Sequence, residues 1–290
     1  MRADTLLWTR HSCRSNMWGE IFYVTLEIKD YNHMKLFGKK KKKTGLALGG
    51  GAVLGAVHVG VLKVIKEKNI TIDCISGTSI GAFMAALYAF GVSAEDIENV
   101  SEDLSWLDIS EITLSKFGLM SNEKFGELLV EQIGDKNIED ADIPLKIIAT
   151  DIASGERVIL EKGNLADAVR ASACIPGIFK PMEIDGRMLV DGGIVENVPV
   201  TPLVDLGADH IIGVQLTVSA AAKRPEHIIE VLLNTFEFMI TNISKPYLKD
   251  VDVLIKPDLS GFDKVDTNQI RELIKKGYEE AEKMLEDGRN

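Results

Sequence analysis

The feature that most constrains this chain is Gly77-Thr78-Ser79-Ile80-Gly81, a G-x-S-x-G stretch set between an apolar run at residues 72–75 and a second at 80–90. A short apolar run, a glycine-bounded turn and a longer apolar run read as strand, sharp turn and helix. Such a turn strains its serine and leaves the hydroxyl exposed, while the flanking glycines let strand and helix approach closely. The same five residues also suit an ordinary strand-to-helix turn, since Gly, Ser and Thr are common there. Two further stretches give the pattern weight: Gly49-Gly50-Gly51 upstream and Asp191-Gly192-Gly193 downstream, each at an expected strand end.

A strand at 45–48, a loop at 49–55 and a helix at 56–68 form the first β-loop-α unit. Successive N–H groups of a glycine turn at a helix N-terminus converge on one spot and favour an anion there. That anion is either a nucleotide phosphate or the oxyanion of an acyl-transfer intermediate. Gly50-Gly51-Ala52-Val53-Leu54-Gly55 breaks G-x-G-x-x-G at its third place, no Gly-Lys-Ser/Thr follows, and the next strand leads to Ser79 rather than to a ribose-binding acid. The oxyanion reading is favoured.

Further along, helices are expected at 94–103 (opened by a capping box at Ser93), 121–133, 165–173, 226–243 and 270–286, with a helix beginning at 198–200 and running to Leu206. Strands are expected at 145–150, 156–160, 182–184, 187–190 and 211–216, with Asp185-Gly186 as a hairpin turn. This alternation implies an α/β fold, a mainly parallel central sheet with helices on both faces. Asp191 follows an apolar strand end directly, the place where open α/β sheets gather their sites, although Asp-Gly-Gly is commonly only a turn. The charged helix at 270–286 reads as a solvated surface helix.

At 290 residues, 46% hydrophobic and 27% charged, the chain is long enough for one large domain, expected at 44–290. Residues 1–43 differ in kind: they carry 10 Lys/Arg against 4 Asp/Glu, and the remainder 23 against 40. They lack a sustained period of 2 or 3.6, so they read as an extension, with Met34 expected as the real start; the alternative is an edge strand at 21–28. An acidic body whose basic cluster is confined to lysines 39–43 argues against a nucleic-acid partner. Residues 44–62 contain no charge, yet six glycines divide them into strand, turn and helix rather than a membrane span. Cys13, Cys74 and Cys174 form no C-x-x-C, which fits a reducing compartment without a zinc site. A cytoplasmic protein with at most weak peripheral membrane contact is expected. Its oligomeric state is not legible.

Taken together, the glycine loop, the Ser79 elbow, the Ala-Val-Arg-Ala-Ser-Ala-Cys-Ile-Pro-Gly string at 168–177 and the stretch 189–199 resemble the patatin-like phospholipase family, in its bacterial single-domain form. The likeness runs from about Gly45 to Leu216. It implies a patatin-like three-layer sandwich that hydrolyses acyl esters of phospholipids or lysophospholipids through a Ser-Asp dyad, with no metal or organic cofactor. The family's nucleophile falls on Ser79, its aspartate on Asp191, and its oxyanion glycines on Gly49, Gly50 and Gly51; Gly77 and Gly81, and Gly192 and Gly193, complete the motifs. Three departures stand out: Leu54 where the family usually has Arg or Lys, Ala52 in place of a loop glycine, and Glu196-Asn197-Val198-Pro199 where Asn-Pro-x-Pro is frequent. The first two keep open a second reading, a catalytically weak lipid-binding protein.

A serine hydroxyl is a weak nucleophile at neutral pH and needs a base beside it. In the dyad that base is Asp191, whose pKa should be raised by partial burial, or which substrate binding should desolvate. The order Ser, Asp, His of a triad is also formally available through His210 or His227. His58, on the first helix, reads as a packed residue.

Overall fold

The computed structural model describes residues 42–103, 111–112, 118–217, 225, 228–243 and 247–286. Residues 1–41 of the extension expected at 1–43, with Met34, Cys13 and the edge strand, lie outside them. The chain opens with β1 (Thr44–Leu48), a 3-10 turn (Ala52–Ala56), α1 (Val57–Glu67), β2 (Cys74–Thr78), α2 (Ile80–Ala89) and α3 (Ala94–Asp103). Then come β3 (Glu111–Ile112), β4 (Gly118–Ser121), α4 (Glu123–Ile133), β5 (Leu145–Asp151), β6 (Arg157–Leu160) and α5 (Leu165–Ser172). β7 (Gly177–Phe179), β8 (Met182–Ile184), β9 (Arg187–Asp191), α6 (Gly193–Glu196), α7 (Thr201–Asp205) and β10 (His210–Val214) follow. The described chain closes with α8 (Ile228–Ile243), β11 (Val253–Ile255) and α9 (Ile270–Glu286).

The main sheet has the order β11-β10-β1-β2-β5-β9-β8, with β6 also on β5. From β11 to β5 every pairing is parallel; the β5–β6, β5–β9 and β9–β8 pairings are antiparallel. Side chains alternate across a strand, and β1 shows what that does here: Leu46 and Leu48 enter the larger core, built with α1, α2 and α9, while Ala47 enters a smaller core with Val198, Val200 and Leu203. Both faces are therefore covered, as the apolar strands require.

Three local readings needed revision. The helix expected from residue 121 begins at Glu123, because Gly118–Ser121 is drawn into a small second sheet with β3 and β7. The helix expected from 198 begins at Thr201, after the unanticipated α6. The helix at the C-terminal end is solvated on one face only: Ile270, Leu273, Ile274, Ala281 and Leu285 are buried. It meets α1 backbone to backbone, since a Cβ on Gly60 would lie 2.1 Å from the Ile274 carbonyl oxygen and one on Gly277 2.1 Å from that of Val57.

Candidate functional site

Ser79 stands between β2 and α2 with φ 55° and ψ −128°. A residue with a side chain held in such a region costs about 1–3 kcal/mol, so the surroundings must enforce it. They do so through named contacts. The Ser79 N–H donates to Ser172 Oγ at 2.8 Å, and Ser172 Oγ donates to the Ile148 carbonyl at 2.6 Å. The Ser79 carbonyl accepts from Ala82 N–H at 2.8 Å, opening α2. The motif glycines serve close approach: a Cβ on Gly77 would lie 2.4 Å from the Gly81 carbonyl oxygen, and one on Gly81 2.1 Å from that of Leu48.

Register brings Asp191 to this serine. On β5, residues 147–148 pair with β2 and also with β6, so those two strands occupy opposite edges. Residues 149–150 pair with β6 and also with β9, which puts β9 on the same edge as β2. Thr78 pairs with Ile148 and Asp191 with Ala149, adjacent positions on β5. β2 and β9 thus run toward one another along one edge and meet end to end. Ser79 and Gly192 turn out of the sheet at the junction, where a Cβ on Gly192 would lie 2.3 Å from the Ile148 carbonyl oxygen.

Asp191 is fully buried, and Ser79 is 8% exposed. The Asp191 backbone is pinned by Thr150 Oγ1, which donates to its carbonyl at 2.9 Å, and by its own N–H to the Cys174 carbonyl at 2.9 Å. One carboxylate oxygen, Oδ1, accepts from Gly193 N–H at 2.8 Å. Burial pushes the carboxyl up to about 7, against smaller lowering effects of the Gly193 N–H and the Ser79 hydroxyl. The Ser79 hydroxyl is thus near enough to favour the charged form, yet Oδ2 has no partner of full hydrogen-bond geometry. A buried carboxylate oxygen with no full hydrogen bond, beside a strained serine whose hydroxyl influences it, has the chemistry of a proton acceptor.

Of the three loop glycines, two have their N–H groups engaged. Gly49 N–H donates to the Val214 carbonyl at 3.1 Å, and Gly50 N–H to Asn197 Oδ1 at 3.1 Å. Asn197 Nδ2 returns a bond to the Gly50 carbonyl at 3.3 Å. Among the described residues no hydrogen bond engages the N–H of Gly51 or Ala52, and Ile80, the first residue of α2, has no intrahelical partner for its own. Ala52 adopts φ 54°, so the loop keeps a glycine-like conformation where the sequence has alanine. Leu54 is fully buried in the larger core.

Neither described histidine meets Ser79 and Asp191. His210 starts β10, paired in register with Thr44 at the N-terminal ends of the parallel strands, opposite the end that carries Ser79, and its Nδ1 is 3.6 Å from Asp252 Oδ2. His227 lies outside the described residues. His58 is buried with Nε2 2.8 Å from the Gly49 carbonyl oxygen, and burial lowers its pKa to about 4. It is a neutral donor that ties α1 to the glycine loop.

Two clefts meet at Ser79 and Ala52. The first, about 570 Å³ with its opening to solvent included, is lined mainly by apolar side chains, among them Val53, Ile80, Met84, Phe125, Phe179 and Ile270. The second, about 360 Å³, contains Asp191, Gly50, Gly51 and Asn197 and is roofed by Leu233, Phe236, Glu237 and Ile240 of α8. Ser172, Asn197 and Thr150 were not singled out from sequence as site residues. Ser172 lies within the Ala-Ser-Ala string and Asn197 within the departing Glu-Asn-Val-Pro, so their motifs were visible while their contacts were not.

A family model described as patatin-like phospholipase matches residues 46–204. An NTE family protein of Mycobacterium tuberculosis is 33% identical over 191 residues, covering 65% of this chain and 53% of the relative. Neuropathy target esterase sws of Drosophila melanogaster is 34% identical over 180 residues, 59% of this chain and 13% of that one. Lysophospholipase NTE1 of Coccidioides immitis is 33% identical over 181 residues, 60% and 12% respectively. The chain thus spans about half the length of the first relative and far less of the others. Among solved structures, VipD from Legionella pneumophila superposes with a TM-score of 0.61 at 14% identity, covering 86% of this chain and 67% of VipD, a likeness of fold.

Proposed function

We propose that this chain, which belongs to the patatin-like phospholipase family, is a serine acyl hydrolase that cleaves acyl esters of phospholipids or lysophospholipids through a Ser79–Asp191 dyad. The observation that carries this reading is the unpartnered Asp191 Oδ2 at the point where β2 and β9 meet. In the first step Asp191 takes the Ser79 proton as Oγ attacks the ester carbonyl carbon. The tetrahedral intermediate collapses, and Asp191 returns the proton to the departing glycerol oxygen. Water then attacks the acyl-serine with its proton passing to Asp191, and the fatty acid leaves with Ser79 restored. A base titrating near 7 suits both directions of transfer.

The oxyanion is received by the glycine loop. Gly51 and Ala52 supply open N–H groups, Ile80 adds one at the positive end of the α2 dipole, and Gly49 and Gly50 use theirs to fix the loop. The apolar cleft takes the acyl chain, against Val53, Met84, Phe125, Phe179 and Ile270. Cys74 and Cys174 are free and buried, and burial pushes the Cys174 thiol up to about 12. Unoxidised, inert thiols fit a cytoplasmic setting. Among the described residues no helix is long and apolar enough to cross a membrane.

The buried Leu54 and left-handed Ala52 favour one rival, lipid binding without turnover. A fluorophosphonate probe separates the two: covalent labelling at Ser79, with release of fatty acid from lysophospholipid, is expected. An unlabelled Ser79 in folded protein supports the rival.

A further inference from the structure

The second cleft holds one pair of opposite charges for which ester cleavage has no use. Glu237, on the inner face of α8, and Lys264, between β11 and α9, line that cleft together with Ser79 and Asp191. Lys264 Nζ lies 3.1 Å from Glu237 Oε2, and the side chains are only 20% and 13% exposed. Withdrawing two charges from water is costly, so such a pair contributes little to stability by itself. Nor is it self-sufficient: Glu237 Oε1 is buried and has no hydrogen-bond partner among the described residues. An ammonium also carries three donors, more than one carboxylate oxygen engages.

The two clefts share only Ser79 and Ala52 among their lining residues. An ester whose acyl chain fills the apolar cleft therefore directs its glycerol side into the cleft of the ion pair. We propose that Glu237 and Lys264 form a headgroup subsite for a zwitterionic phosphate–ammonium group, with Lys264 receiving the phosphate and Glu237 the ammonium. The proposal rests on the acyl-hydrolase reading above. A zwitterion replaces one internal pair by two charge-assisted contacts and brings Oε1 the donor it lacks. An anionic headgroup without an ammonium meets the Glu237 carboxylate beside its phosphate, and an uncharged glycerol displaces nothing.

The test compares kcat/KM for lysophosphatidylethanolamine, lysophosphatidylglycerol and a monoacylglycerol, all with one acyl chain and below their aggregation thresholds. The wild-type chain is expected to prefer the first by about tenfold over each of the others. Glu237→Gln should erase the preference over lysophosphatidylglycerol, and Lys264→Gln the preference over monoacylglycerol. Each ratio is read within one protein sample, so partial misfolding divides out. If the pair merely clasps α8 to the neighbouring segment, every substrate falls together at unchanged ratios, and the proposal is overturned. Calorimetry on the wild-type chain decides the subsite without turnover: glycerophosphoethanolamine should bind about tenfold tighter than glycerol 3-phosphate, and equal binding overturns it. Absence of hydrolysis for all three esters sinks the hydrolase reading, a result distinct from either.

Discussion

Ser79 occupies a backbone conformation that only glycine adopts freely, and Asp191 keeps a carboxylate where water does not reach it. Both work against stability, and each yields an expected outcome. Ser79→Gly should abolish ester hydrolysis while raising stability by about 1 kcal/mol, because glycine relieves the left-handed strain; chemical denaturation and an ester assay read the two effects side by side. For Asp191 the folded-state pKa of about 7 exceeds the usual 3.8. The folded state therefore holds its proton to higher pH than the unfolded state. Its stabilising contribution is full below about pH 4 and is lost as pH rises through 7, a difference on the order of 4 kcal/mol. Asp191→Asn should accordingly be inactive yet gain on the wild type as pH rises, with the largest gain above pH 7 in denaturation curves. In the wild type, kcat/KM should rise along a single limb near pH 7. His58, lowered to about 4 from 6.5, slopes the other way: its contribution is lost as pH falls between those values. The two opposed slopes should leave the wild type nearly flat there, and the Asp191→Asn variant steeply acid-sensitive.

At the scale of elements, what was legible in the sequence was what local pattern carries. The β1–loop–α1 unit, the strand–elbow–helix around Ser79 and the hairpin at Asp185-Gly186 each announce themselves within a dozen residues, and the hairpin turn has φ 52° and 73° at those two positions. The small sheet of β3, β4 and β7 did not, because Gly118 pairs with Gly177 and nothing near either says so. The same holds for Ser172, whose hydroxyl matters only once α5 lies against the elbow. In α9 the apolar spacing was visible but its partner was not, since the contact is made through glycines rather than large side chains. Gly277→Ala should force α1 and α9 apart and cost about 1–3 kcal/mol, the range for overpacking, seen as a lowered Tm; an unchanged Tm would contradict the backbone contact.

Across the whole molecule, charge opposes the task assigned to it. Residues 44–290 carry 23 Lys/Arg against 40 Asp/Glu, an acidic surface that an anionic leaflet repels. The lysines at 39–43 oppose this, each contributing about 1 kcal/mol near an anionic surface. On α8, Ile240 is buried and lines the second cleft with Phe236, whereas Phe238 and Met239 are exposed together with Ile228 and Val231. Vesicle sedimentation should show weak binding to anionic lipid that disappears at high salt and on replacing the five lysines by glutamine. Persistence at high salt would contradict this electrostatic account; loss of that residue of binding in Phe238→Ser with Met239→Ser would assign it to the outer face of α8.

The end-to-end meeting of β2 and β9 also sets an order of events in the making of the protein. Nucleophile and base hang from the same edge of β5 but come from distant parts of the chain, and the strand carrying the base is synthesised last. A nascent chain that has emerged only through β5 holds the Ser79 stretch but neither Ser172, which fixes the elbow, nor Asp191. A chain truncated or clipped ahead of Arg187 likewise lacks Asp191. If Ser79 and Asp191 act as the proposed dyad, an incomplete copy that ends before β9 lacks its base, and activity waits on the docking of that strand.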